Sequence, residues 1–195
     1  FYQFTAESGR SYGPYDFVNF EYATAKVCKY DTEGDPISGW EVYLADQMRT
    51  TCRDGCTEFI ITEDGEYTVT EESRSSWTQS GANSYTFTTD SGGVYGPYNF
   101  ANFQNVDVTV CTENTEGNAV EAWRVSLGGD EQLTNSDGCY TWTVTKPGTY
   151  TASESVETGW TPQGSTTHDF IITSGMAPQS HTFVNFENVD VTVCK

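Results

Sequence analysis

Six cysteines, two histidines and a run of acidic turn residues are the side chains of this 195-residue chain whose types and spacing could do chemistry. The cysteines do not read as metal ligands. No C-x-x-C pair occurs, and the nearest two are Cys52 and Cys56. An even cysteine count in small β-rich modules reads as disulfides, and so as an oxidising, extracellular compartment. Asp31, Glu33 and Asp35 stand in the turn DTEGDP, which offers several carboxylates to a hard cation such as calcium. A second stretch of the same shape, ENTEGNAV, lacks two of those carboxylates, so a solvated turn is the plainer reading. His168 and His181 have no clustered partner in the sequence, and surface positions are expected for both. No nucleophile elbow, zinc-protease helix, phosphate loop or dinucleotide fingerprint is present. No reaction can be written from these residues; no enzyme and no cofactor are expected.

The elements that must carry these residues can be read from composition and pattern. Aromatics make up 14% of the chain, enough for packed cores, which sets it apart from disordered sequences. The 28 acidic residues outnumber 9 basic ones, for a formal charge of -19. Such a field repels phosphate backbones and anionic membranes, so nucleic acid is excluded as an expected partner. No apolar run is long enough to cross a bilayer, and membrane insertion is not expected. The chain starts at Phe1 rather than Met, which suggests a removed leader or a window on a longer polypeptide.

One offset organises the whole chain. Adding 83 carries Cys28 to Cys111 and then Cys194, Phe20 to Phe103 and then Phe186, and Asn19 to Asn102 and then Asn185. The same step carries Trp40 to Trp123, Cys56 to Cys139, Tyr67 to Tyr150, Glu71 to Glu154 and Trp77 to Trp160. Rare residues matching at one fixed step indicate tandem duplication. The expected organisation is a tail at 1–20 that forms the closing strands of a preceding or neighbouring module, full repeats at 21–103 and 104–186, and the opening strand of a further module at 187–195.

Within a repeat the period is two. Val106, Val108 and Val110 alternate with Asp107, Thr109 and Cys111, and Tyr140, Trp142 and Val144 alternate with Cys139, Thr141 and Thr143. Asp54-Gly55, Asp137-Gly138 and Pro147-Gly148 punctuate such runs as turns. Short strands between frequent turns predict an all-β fold of tandem Ig-like, prealbumin-like β-sandwich repeats.

The order TAKVCKYDTEGDPISGWEVYL, TTCRDGCTEFIITEDGEYTVTEE and YTFTTDSGGVYGPYNFANF resembles the collagen-adhesin B-type (Cna-B) repeat of surface adhesins and pili. The resemblance covers both full repeats. It implies a rigid, non-enzymatic stalk or pilus segment. It also implies an internal isopeptide bond from a first-strand lysine to a last-strand asparagine, promoted by a buried acid. The matching positions are Lys29, Asn102 and Glu71. Strand phase agrees, since Lys29 follows Val27, Glu71 follows Tyr67 and Val69, and Asn102 follows Phe100, all toward one core. There a lysine loses its charge and becomes nucleophilic. A buried Lys29–Glu71 ion pair, or a lysine reaching out at a strand end, is the open alternative. The second repeat has Thr112 where the lysine would stand, so the bond is not expected there.

Recurrence and phase pair Cys28 with Cys56 and Cys111 with Cys139, on the outward faces of their strands. Cys52 and Cys194 are then left over, and an intersubunit Cys52–Cys194 bond is expected. Residues 187–195, with Val189, Val191, Val193 and Cys194, form a candidate donor strand. These features predict a structural subunit of an extracellular filament, stalk, sheath or surface layer that polymerises with itself head to tail. Two alternatives stay open: an adhesin module for carbohydrate, matrix or a neighbouring cell, and covalent continuation of both ends in a longer array.

Overall fold

The structure, a computed structural model, describes residues 3–195. Residues 1 and 2, part of the 1–20 tail, lie outside the described residues. The described chain is all-β, with four four-stranded sheets and no helix among the described residues. In chain order the first eight strands are β1 (Ala23–Asp31), β2 (Glu41–Leu44), β3 (Gln47–Thr50), β4 (Cys56–Ile61), β5 (Gly65–Glu71), β6 (Trp77–Ser80), β7 (Ser84–Thr89) and β8 (Val94–Gln104). The next eight are β9 (Val106–Asn114), β10 (Arg124–Leu127), β11 (Asp130–Leu133), β12 (Cys139–Val144), β13 (Gly148–Glu154), β14 (Trp160–Pro162), β15 (Thr167–Ile172) and β16 (Gln179–Glu187).

Sheets β4-β1-β8-β6 and β3-β2-β5-β7 close on one core, and sheets β12-β9-β16-β14 and β11-β10-β13-β15 on another. Each pair is an Ig-like sandwich, and corresponding strands hold the same places in the two sandwiches. Alternation along the strands explains the layers. In β9, Val106, Val108 and Val110 are buried while Asp107 is exposed. Each valine removed from water contributes about 1.5 kcal/mol or more, which locks the register of that face.

Two pairings place the chemistry. β1 and β8 run parallel, with Lys29 opposite Phe100 and Asp31 opposite Asn102. β1 and β4 run antiparallel, with Cys28 directly opposite Cys56. The turn before β4 leans on the lysine strand: Lys29 N donates to Gly55 O at 2.7 Å. Gly55 has φ +76°, and a Cβ there would meet Lys29 O at 2.6 Å, so only glycine fits both the conformation and the approach.

Some placements differ from those expected. Phase puts Cys28 and Cys56 outward, yet both are buried. Tyr30, on the same phase as Cys28, covers them, with its hydroxyl 3.8 Å from Cys56 Sγ. Strand structure also stops at Glu187 rather than running on to 195, and none forms over residues 3–22. Val189, Val191 and Val193 are exposed. A strand needs a neighbour to satisfy its amides, and the described residues offer this segment none.

Candidate functional site

Lys29, Glu71 and Asn102 come together inside the first sandwich. β1 and β8 supply the lysine and the asparagine from one sheet, and β5 supplies the acid from the facing sheet. Lys29 has 0% side-chain exposure, and its Nζ lies 2.8 Å from Glu71 Oε2. Asn102 Nδ2 donates to the same oxygen at 3.5 Å. The lysine contact is close in distance but falls outside hydrogen-bond geometry, and Nζ, Glu71 Oε1 and Asn102 Oδ1 are buried without a hydrogen-bond partner. Trp40 covers the amine, with its ring centroid 4.7 Å from Nζ.

Burial dominates the protonation of the pair. It pulls the Lys29 amine below the usual lysine range, although Glu71 opposes that shift. It pushes the Glu71 carboxyl above the usual range, although Lys29 opposes that one. Both directions favour the neutral amine beside the neutral acid. A neutral amine is a nucleophile, a carboxamide carbon is its electrophile, and a protonated acid can donate to the carboxamide oxygen. A cleft lined by Glu71, Arg74, Trp77, Ser84 and Asn102 leads out from this cluster.

The second sandwich holds two thirds of the same arrangement. Asn185 Nδ2 donates to Glu154 Oε2 at 2.7 Å, and both residues are buried. Burial raises the Glu154 carboxyl. Thr112 occupies the lysine position and turns its hydroxyl onto Val120 O at 3.0 Å. The acid and the amide are present there without an amine.

The structure contains disulfides Cys28–Cys56 and Cys111–Cys139, each between directly opposed residues with Cα atoms 4.0 Å apart. Cys52 and Cys194 are free and exposed. The acidic turn is internally occupied. Asp31 Oδ1 accepts from Glu33 N at 3.0 Å and Asp35 N at 2.8 Å, while Glu33 Oε1 accepts from Ser174 N at 3.0 Å. Among the described residues no three His, Cys, Asp or Glu side chains form a group able to hold a metal ion.

The histidines differ from the sequence expectation. His168 and His181 are half-buried and stacked on each other between the two sheets of the second sandwich, each against a core phenylalanine. The offset could have revealed this pairing. Tyr85 and Tyr98 stand 83 residues earlier and also face each other, with ring centroids 5.2 Å apart.

No protein-family model and no curated protein matches the chain. Among solved structures it is similar to the TIE protein of Bacillus anthracis, at 16% identity and a TM-score of 0.44, covering 86% of this chain and 34% of that one. It is similar to a streptococcal ancillary pilin at 12% identity and a TM-score of 0.42, covering 84% of this chain and 62% of that one. The chain thus spans about a third of the first and less than two thirds of the second. It is also similar to the minor pilin GBS52 of Streptococcus agalactiae at 13% identity and a TM-score of 0.38, covering 88% of this chain and 99% of that one.

Proposed function

We propose that the chain is a structural segment of an extracellular surface filament, stalk, sheath or layer, with its first sandwich cross-linked by a Lys29–Asn102 isopeptide bond. One observation carries this reading: a fully buried lysine lies against a buried acid and a carboxamide. Reactive groups enclosed in a core can act only on their own chain, and an internal covalent tie serves mechanical strength rather than turnover of a substrate. The two strand-linking disulfides and the charge of -19 suit an oxidising, external setting.

The step balances without a further reagent. Neutral Lys29 Nζ attacks Asn102 Cγ while Glu71 donates a proton to the carboxamide oxygen. The Nζ–Cγ bond forms and the Cγ–Nδ2 bond breaks. The proton leaving Nζ, relayed by Glu71, makes the departing group ammonia, which exits by the cleft. The intact mass of the native chain should be lower by one ammonia than its sequence with two disulfides gives, and Glu71→Ala should restore it. An unshifted mass in the native chain removes the bond and leaves a buried ion pair.

Head-to-tail assembly belongs to the same reading. Val189, Val191 and Val193 form an exposed apolar alternation that would pair as a strand with a neighbouring copy, and a Cys194–Cys52 disulfide would lock it. The joint is heterologous and does not close on itself, so it builds a filament. Non-reducing electrophoresis should show a ladder that collapses in Cys194→Ser; a monomer in both chains overturns the disulfide lock.

A further inference from the structure

Phe103 ends the first repeat but belongs to the core of the second sandwich, where it is 1% exposed. It sits in β8 opposite Thr78, so the first sandwich presents it as a plug to the base of the second. A polar clasp lies beside it. Glu33, in the turn after β1, accepts from Ser174 N of the second sandwich at 3.0 Å, and Ser174 Oγ accepts from Gln104 N at 2.8 Å. Plug and clasp together join the two sandwiches.

The parts of this joint recur at both poles. Phe186 stands in β16 opposite Thr161, as Phe103 stands opposite Thr78, but it is 39% exposed. Glu116 occupies the place of Glu33 and is exposed, and among the described residues only the neighbouring Thr115 hydroxyl lies on its carboxylate. At the opposite pole Ser91 repeats Ser174: it is exposed, its Oγ accepts from Glu21 N at 2.7 Å, and its own N–H has no acceptor among the described residues. The base of the first sandwich is filled by Phe20, which is only half-buried and lies in a segment without strand structure.

We propose that Phe186 and Glu116 form a docking surface for the base of the first sandwich in a second copy of this chain. Phe186 takes the place of Phe20 there, and Glu116 accepts from Ser91 N. The joint inside one chain is the template, since the same residue types meet at Phe103, Glu33 and Ser174. This proposal rests on the head-to-tail reading above and gives it a contact surface. Charge works against it. Lys146 and Pro147 line the joint within the chain, whereas Glu63 and Asp64 hold those positions on the first sandwich. A second copy therefore brings carboxylates toward Glu116, and screening by salt should strengthen docking.

Sedimentation velocity on the whole Cys194→Ser chain tests this without interference from an intersubunit disulfide. Concentration-dependent association is expected, stronger at about 0.5 M salt than at about 0.05 M. Phe186→Ala should weaken it about tenfold or more, as the loss of one buried aromatic plug implies. Phe20→Ala should strengthen it by vacating the socket, with circular dichroism confirming that the variant is folded. Monomers at every concentration up to about 1 mM in both the parent chain and Phe20→Ala overturn the proposal, as does association indifferent to Phe186→Ala. That result would leave the surface-structural reading standing, because linkage through Cys194 or the covalent chain does not need this contact.

Discussion

His168 and His181 lie face to face with ring centroids 4.0 Å apart and planes 5° from parallel. One comes from β15 and the other from β16, so the stack bridges the two sheets of the second sandwich. Among the described residues the cleft around it holds Gln163, Ser165 and Thr167 and no carboxylate. Asp169, next along β15, is exposed and accepts from Thr151 Oγ1 at 2.6 Å. Among the described residues the cleft thus offers no acid to stabilise a charged His181.

Acid should therefore weaken the second sandwich. Burial lowers the His181 imidazole, and the charge of His168 adds to that. The unfolded chain then takes up protons at higher pH than the folded one. The stability is complete above the ordinary histidine value of about 6.5 and falls as pH drops through and below it. Thermal unfolding between about pH 7.5 and about pH 5 should show this loss, and His181→Tyr, which installs the first sandwich's residue type, should reduce it. Equal pH slopes in the two proteins would sink the idea.

Glu154 makes the opposite prediction at the other end of the scale. Burial raises its carboxyl, and the side-chain hydrogen bond from Asn185 opposes that without a cation to help. A raised folded value means stability that is complete below the ordinary glutamate range and is lost as pH rises through the folded value. Glu154→Gln should raise the melting temperature of the second sandwich at neutral pH and remove this dependence. A variant less stable than the parent at neutral pH would show that the carboxylate form is the one the core holds.

The strand-linking disulfides should each carry a large share of their sandwich's stability. Each joins residues 28 apart in sequence. Closing a loop of that length stabilises by about 3–4 kcal/mol in the chain-entropy model. Urea unfolding of the Cys111→Ser/Cys139→Ser chain should show that loss in the second sandwich alone. A loss spread equally over both sandwiches would mean that they unfold as one unit.

Much of this molecule follows from local pattern. The two-residue period of Val106, Val108 and Val110 allows only a strand with one face inside, and the same period places Lys29, Glu71 and Asn102 inward. Asp-Gly at 54–55 signals a turn, because Gly55 takes a φ of +76° that residues with a Cβ avoid. These features were legible because each depends on neighbours one or two residues away and on the chemistry of one side chain.

What the tertiary structure alone decided depends on contacts between residues far apart in the chain. Phase says that Cys28 and Cys56 point away from the core, but only the pairing of β1 with β4 brings the Tyr30 hydroxyl onto Cys56 Sγ. The spacing of His168 and His181 carries no sign that they stack, since that follows from the facing of two sheets. Phe103 reads as the closing residue of its own repeat, yet it fills the core of the next, because burial is settled by whichever apolar surface lies nearest in space. The sequence by itself determined the strands of the two repeats and the inward face that carries Lys29, Glu71 and Asn102. Packing between sheets and between sandwiches decided which of those residues meet.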